Sequence, residues 1–572
     1  MRVDLLLKNG VFFNPYFKKF VPGYATVLDG KFLHIGKGET DMEQFEADEI
    51  VDCEGKFVVP GLIDIHMHIE SSQASPVPFT DYLVKYGITT IVSEPHEIAN
   101  VFGLEAILAM IEAGKGSPVD VYYGISSSVP STDDTLETTG GVIDLDDVKA
   151  LMDNPGIACL GEVMNTRAVL NEPDCKANQF TSFLKENAPR LPLEGHCPRI
   201  VGVDLSRYIY TGIDSDHTEH TLEEVIDRYE KGMFFELQTK MLKPEVVSFI
   251  IENGLYEHTA FVTDDTMPDV MAFEGHLDRI LVGARKLGFD RENMIYCGTF
   301  TPARRMRMYD RGAIAPGKLA DFVILEDIDN FVVDKTFKNG KEVYSKDKPI
   351  NYRNKQNVFP AKFYDSVHVA PIDESKFTIA ADGEQKTVRA MEIIPDRTQT
   401  AKQHFTLPVQ NGELQWENRE ELALVATFER YGKNGNIGYG FACGGMLKRG
   451  AVATTYAHDH HNLQVAGHTK ADMVLAAQTV VDMKGGMAVV ENGKVLAKLS
   501  LPVGGIMSER PMEEIGADAR AIHHAMEALG YNNFEPIMSF ATISLPVSPD
   551  IKITDMGLID VRSGKVLPLF VD

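Results

Sequence analysis

A chain of 572 residues, 44% hydrophobic and 24% charged, has ordinary globular composition and exceeds what one hydrophobic core can organise, so two or three domains are expected. Its formal net charge of −27, with no block of Lys or Arg, argues against a nucleic-acid partner and for a small uncharged or cationic ligand. Six scattered cysteines without a CxxC pair fit a reducing compartment and no disulfides. Asp4 and Lys8 interrupt the first apolar stretch, against a signal peptide, and no apolar run of about 18 residues marks a membrane span, so a cytoplasmic location is expected.

In chain order, the first residues read as short strands turned at Asn9-Gly10 and Asp29-Gly30, a small β-unit. From Lys56 the pattern becomes apolar run, polar end, amphipathic stretch. Strands are expected at 57–66, 88–94, 119–127, 156–162, 191–196, 211–216, 232–237 and 259–264. Helices are expected at Val101–Glu112, Leu145–Met152, Gln179–Glu186, Leu222–Tyr229, Pro244–Glu252 and His276–Leu287. Eight alternations predict an α/β fold with a (β/α)8 TIM barrel, whose chemistry sits at the strand C-termini. An open doubly wound sheet would gather polar clusters at one switch point; here they end most strands. The segment GAIAPGKLADFVILED (312–327) reads as the chain returning to the N-terminal β-unit. The polar stretch 345–375 is the best boundary before a C-terminal α/β domain. The expected division is 1–56 with 305–350 as a β-sandwich, 57–304 as the barrel, and 365–572 as the C-terminal domain.

The chemistry begins at VVPGLIDIHMHIESS (58–72), where residues two apart on a strand place His66 and His68 on one side. Other strand ends carry Glu162 in GEVMN, His196 in EGHCPR, His217 in DSDHTEH and Asp264 in FVTDD. Four imidazoles and two carboxylates without a thiol suit divalent Zn, Fe or Mn. Glu162 on the middle strand can bridge two ions, with His66, His68 and Asp264 on one and His196 and His217 on the other, about 3.5–4 Å apart. Such a pair brings the pKa of water from about 15.7 toward ~7, with Asp264 placed to shuttle the proton. Glu70 and Asp265 share the rim and can hydrogen-bond ring nitrogens. His96 in SEPHEIAN can orient a substrate or merely satisfy backbone after Pro95. Cys197, Met164 and Met233 read as packing residues. The loop Tyr456–Asn462, dense in histidine, reads as a polar turn or as a segment reaching another domain's pocket, with a separate metal site as the alternative.

The series PGLIDIHMHIESS, EPHEIANVFG, GEVMN, GHCP, SDH, TDD and GAIAPGKLADFVIL resembles the amidohydrolase superfamily, specifically its bacterial adenine deaminases. RGAVATTYAHDHHN and LSLPVGGIMS extend the likeness through nearly the whole chain. The resemblance implies two metals, commonly Fe(II) or Mn(II), and hydrolysis of adenine to hypoxanthine and ammonia. It implies metal ligation by His66, His68, Glu162, His196, His217 and Asp264 and places Glu70 in an active-site motif; with Asp264 and Asp265 at the same rim, the expected catalytic residues are Asp264, Glu70 and Asp265. By the same resemblance, His96 and Glu97 fall in active-site motifs and His458, Asp459 and His461 lie on the loop that helps close the pocket; these residues, with Thr218 by its place after His217, are expected to face the substrate. Departures from the family pattern fall at Glu94 and Glu194, each in place of Asp, and at Thr218, where Glu is usual and stands one place later as Glu219. Others fall in FELQTK, which includes Gln238, and at His460 in place of Ser. These leave another aminated heterocycle or cyclic amide as the alternative substrate class, and a non-catalytic purine-binding protein as the alternative outside enzymes. A homo-oligomer is expected on general grounds.

Overall fold

A computed structural model describes residues 1–395, 397–533 and 535–571. Eight parallel strands form the centre: β1 (Leu62–Met67), β2 (Ile88–Ser93), β3 (Asp120–Ile125), β4 (Ile157–Val163), β5 (Leu193–Gly195), β6 (Ser215–Asp216), β7 (Phe234–Leu237) and β8 (Thr259–Phe261). Regular pairing runs from β1 to β5 and from β6 to β8. The gap between β5 and β6 is spanned by Asp214 N–H on Leu193 O at 3.4 Å and Gly195 N–H on Ser215 Oγ at 3.1 Å. Asp264 N–H on His66 O at 3.1 Å, with a parallel bridge from Met67 to Asp264, closes β8 onto β1. Cyclic strand order makes this a (β/α)8 barrel.

The expected strand 57–66 divides in two. Phe57–Pro60 pairs with Arg2–Asn14 and Phe322–Asp327 in an outer sheet, and β1 begins only after Gly61. Gly61 lies so close to Thr89 that a Cβ there would stand 2.1 Å from its Oγ1, so the chain can cross into the barrel only with glycine at this point. The outer β-unit is a single eight-stranded sheet built from both flanks of the barrel, with its own core of Leu5, Leu7, Phe12, Val27, Phe32, Val58, Phe322 and Phe337.

The expected helices are present, as Leu104–Ala113, Leu145–Leu151, Lys176–Asn187, α2 (Leu222–Glu230), Pro244–Glu252 and Leu277–Lys286. α1 (His96–Phe102) precedes the first of these, and Pro76–Leu83, Gly202–Tyr210 and Arg291–Arg305 were not anticipated. Asp144 and Thr221 each make capping boxes that start their helices where the sequence changes from loop to amphipathic run.

The C-terminal half centres on a ten-stranded sheet. Alternation divides its faces: Leu424, Ala426, Ala451, Ala453, Ala488 and Val490 pack under helix Lys470–Asp482, whereas Val425, Val452, Met487 and Val489 join the barrel's own core. Residues 345–375, expected as a boundary, form a strap across the junction. Arg353 pairs with Asp81 at 2.6 Å, Glu509 accepts from the N–H of Asn357 at 2.8 Å, and Phe363 stacks on Phe102 at 4.0 Å. Strand pair Ala451–Thr454 and Leu463–Gly467 is joined by residues 456–462, which the shared core carries over the barrel mouth. All six cysteines are free, and among the described residues no helix is long and apolar enough to cross a membrane.

Candidate metal centre and its pocket

β1 delivers His66 and His68 into the barrel mouth, each 3% exposed, their rings edge-on at 5.3 Å. His68 Nδ1 lies 2.9 Å from the carbonyl oxygen of Glu94. A carbonyl only accepts, so Nδ1 carries the proton and Nε2 keeps its lone pair for the centre. That Nε2 stands 3.5 Å from Glu162 Oε1 and 3.6 Å from Asp264 Oδ1. Glu162, at the end of β4, is the hub. Its Oε1 also lies 3.7 Å from His96 Nδ1, while Oε2 lies 2.7 Å from His196 Nδ1 and 3.4 Å from His217 Nε2. The His66 ring stacks on that of His217 with centroids 3.8 Å apart.

Most of these separations are too long for hydrogen bonds, and buried His66 Nε2 has no partner at all. They suit a shared cation instead: ligand atoms about 2.1 Å from one ion in tetrahedral array stand about 3.4 Å from each other. Three such groups overlap: His66, His68 and Asp264; His66, Glu162 and His217; and His68, His96 and Glu162. The donors are nitrogen and oxygen only, and the site therefore fits divalent first-row metals.

Electrostatics favour the ligand forms of Glu162 and His66, whereas at His68 and His217 burial is outweighed by the carboxylates of Asp264 and Glu162, which raise both imidazoles well above the ordinary value. Burial pushes the Glu162 carboxyl upward, but His196 and His217 outweigh it and hold it well below the usual carboxylate range. Burial and then the neighbouring His217 depress His66 well below its ordinary value, so its imidazole is neutral. Asp264 adopts a left-handed backbone with φ of 56°, which turns its carboxylate inward from the end of β8. Gln238 Nε2 donates to Asp264 Oδ2 and to His217 O, both at 2.8 Å; two acceptors fix the orientation of that amide.

Beside the cluster lies a second polar layer. Pro95 ends the turn after β2, and α1 starts with His96 and Glu97 in its first turn, where an acidic group is favoured. Ser71 Oγ sits 2.5 Å from Asp265 Oδ1 and 3.2 Å from Glu97 Oε1. Tyr456 OH reaches Ser71 at 3.2 Å and His458 Nε2 at 3.1 Å. His458 Nδ1 is 3.2 Å from Asp459 Oδ1, which faces His96 Nε2 at 3.7 Å. His461 Nε2 faces Glu97 Oε2 at 3.8 Å, and His96, Glu97 and His458 form a further group at ligand distance. Burial, reinforced by Glu97, raises the Glu70 carboxyl to about 7, which makes it a proton donor or acceptor near neutrality. Arg430 holds the loop from behind, donating to the carbonyls of His461, Ser366 and Gly504.

The structure thus gathers His66, His68, Glu162, His196, His217 and Asp264, with Glu70, His96, Glu97, Asp265, His458, Asp459 and His461 around them. Thr218 is the exception. Its hydroxyl lies 2.9 Å from both Asp216 Oδ1 and His220 Nε2, spending its hydrogen bonds in the wall beneath the pocket. Glu219 does not replace the usual Glu, because it points outward to Lys243 at 3.0 Å. His96 is closer to the ligand cluster than expected, and His196, with its side chain 31% exposed, marks the open side. Sequence reasoning assigned nothing to Glu236, fully buried and 3.7 Å from His217 Nδ1, or to Gln238 as a support for Asp264. Glu236 on β7 and Gln238 just beyond its end are two residues apart and face the same way, a signal available in FELQ.

A nitrogen/oxygen cluster able to hold metal at the C-terminal mouth of such a barrel fits the amidohydrolase class of hydrolases, and the amidohydrolase family model matches residues 57–343. The adenine deaminase C-terminal domain model matches residues 397–565. Over their full lengths, the chain is 47% identical to an adenine deaminase of Clostridium perfringens and 46% identical to adenine deaminase 2 of Shouchella clausii. It is 39% identical to adenine deaminase 2 of Oenococcus oeni, covering 100% of this chain and 99% of the relative. The chain belongs to the adenine deaminase family of the amidohydrolases.

Proposed function

We propose that the chain hydrolyses adenine to hypoxanthine and ammonia at the mouth of the barrel. The observation that carries this reading is Glu162, with one carboxylate oxygen facing His68 and His96 and the other facing His196 and His217. His66, His68 and Asp264 would hold one divalent ion and His196 and His217 a second, Glu162 lying between; Mn or Fe is the favoured metal, with Zn next. Bound there, the ions supply Lewis acidity and make water acidic enough to act as a nucleophile near neutral pH.

Asp264 takes a proton from the attacking water, its carboxylate aimed by Gln238. Oxygen adds to C6 of the ring and the C6–N bond breaks; of the water's two protons, one stays on the ring nitrogen of hypoxanthine and the other leaves with ammonia. Glu70, Glu97 and Asp265 face the ring nitrogens, and His96, His458, Asp459 and His461 close the far wall. Thr218 has no part in this assignment. Six scattered, free cysteines support a reducing, cytoplasmic compartment, and a homo-oligomer is proposed on general grounds. Its division follows the sheets: 1–60 with 305–350, 61–304, and 365–572.

Conversion of adenine to hypoxanthine by Mn(II)- or Fe(II)-loaded protein, followed by ultraviolet absorbance with ammonia release measured in parallel, tests the proposal. Rapid turnover is expected; metal-replete protein that leaves adenine unchanged contradicts it.

A further inference from the structure

Beneath His196 and His217 lies a fully buried ion pair that the proposed reaction does not use. Arg228 on α2 donates through Nε to Asp216 Oδ2 at 2.6 Å and through Nη2 to the Cys197 carbonyl at 2.6 Å. Its Nη1 reaches the carbonyls of Glu224 at 3.1 Å and Ile200 at 3.4 Å. Asp216 also accepts from Cys197 N–H at 3.3 Å, Thr218 N–H at 3.1 Å and His220 Nε2 at 2.8 Å. Cys197 and Asp216 are the chain neighbours of His196 and His217, so one guanidinium ties together the backbones that carry both imidazoles.

This tie stands where the barrel's own ladder is weakest. β5 and β6 belong to different sheets, whereas on the opposite flank Asp264 N–H bonds directly to His66 O. A buried ion pair is a poor stabiliser, since desolvation offsets its attraction and apolar replacements are often neutral. What an apolar side chain could not do is donate to Asp216 and Cys197 O at once with fixed fork geometry. We propose that Arg228 and Asp216 are positioning residues that hold His196 and His217 at their mutual 3.1 Å, and so govern one flank of the ligand cluster independently of the other.

This inference rests on the metal-binding reading above. The test is Co(II) titration of apo wild type, Arg228→Met, Arg228→Lys and Asp216→Asn by calorimetry and visible absorption, with apo Tm recorded. Wild type is expected to bind about two equivalents. Arg228→Met and Asp216→Asn are expected to keep one and to bind the other about 10- to 100-fold more weakly, as loss of groups supporting a ligand does, with half of the absorption change and an apo Tm that falls, because each leaves its partner buried and unpaired, while unfolding stays cooperative. Arg228→Lys should fall between, because an ammonium lacks the fork. Two equivalents of wild-type affinity in both variants would overturn the inference, as would uniform weakening of both equivalents together with collapse of the apo Tm. Wild type that binds no Co(II) would instead overturn the metal reading and, with it, this inference.

Discussion

Two regions furnish the polar groups at the barrel mouth, and they are built by different physics. The strand-end residues inherit their positions from the closed ladder: His66 and His68 by strand alternation, Asp264 by a backbone bond to His66 O. The loop 456–462 comes from another sheet and owes its place to the core shared by the two halves and to Arg430, whose guanidinium donates to backbone carbonyls. A rigid ladder suits metal ligands, which must converge within tenths of an ångström. The loop's His458, Asp459 and His461 suit recognition of a ring, where hydrogen bonds decide which heterocycle is accepted.

Breaking the barrel side should give the largest effect. Glu162→Ala removes the carboxylate between both imidazole pairs, so both metal content and ammonia release should collapse, activity by about 10³-fold or more. Metal analysis showing a full complement in that variant would break the distinction. Asp264→Asn should retain much of the metal while kcat falls about 10²–10⁴-fold, as loss of a general base does. On the loop side, His458→Ala and Asp459→Asn should leave metal content unchanged and lower kcat/KM for adenine by about 10- to 100-fold, since buried partners go unpaired. Loss of metal from either would show that the loop ligates as well as recognises.

The smallest effect concerns the segment between the two regions. Thr138 O accepts from Asn462 Nδ2 at 2.9 Å, and neighbouring Glu137 is pushed to about 7, chiefly by burial. A carboxyl raised from 4.5 to about 7 on folding keeps its proton while the unfolded chain loses it, so its contribution declines as pH rises from about 4.5 to 7. Glu137→Gln should cancel that slope: relative to wild type it gains stability between pH 5 and 8, by on the order of 3 kcal/mol at most. Parallel Tm–pH curves for the two proteins would contradict the assignment.

The barrel was legible because its strands are apolar runs ending in chemistry-bearing residues, and period-two spacing alone faces His66 and His68 the same way. The misplaced first strand shows the limit: VVPGLI runs across the boundary without a polar residue, and only Pro60-Gly61 hints that the chain changes sheets there. Residues 345–375 look like a linker because their polar side chains find partners more than 100 residues away, as Arg353 does with Asp81, and local sequence carries no trace of that. Thr218 was drawn toward the substrate by its place after His217, yet Asp216 and His220 compete for its hydroxyl within the same turn. Arg228 was invisible for the same reason as the strap: an arginine on an amphipathic helix reads as solvated until Asp216 and Cys197 are brought beneath it.

The most direct test of the central claim is anomalous diffraction from Mn(II)-loaded crystals. Two peaks about 3.5–4 Å apart, each within bonding distance of a different Glu162 oxygen, are the expected result. A single ion, or a pair that Glu162 does not bridge, would contradict it.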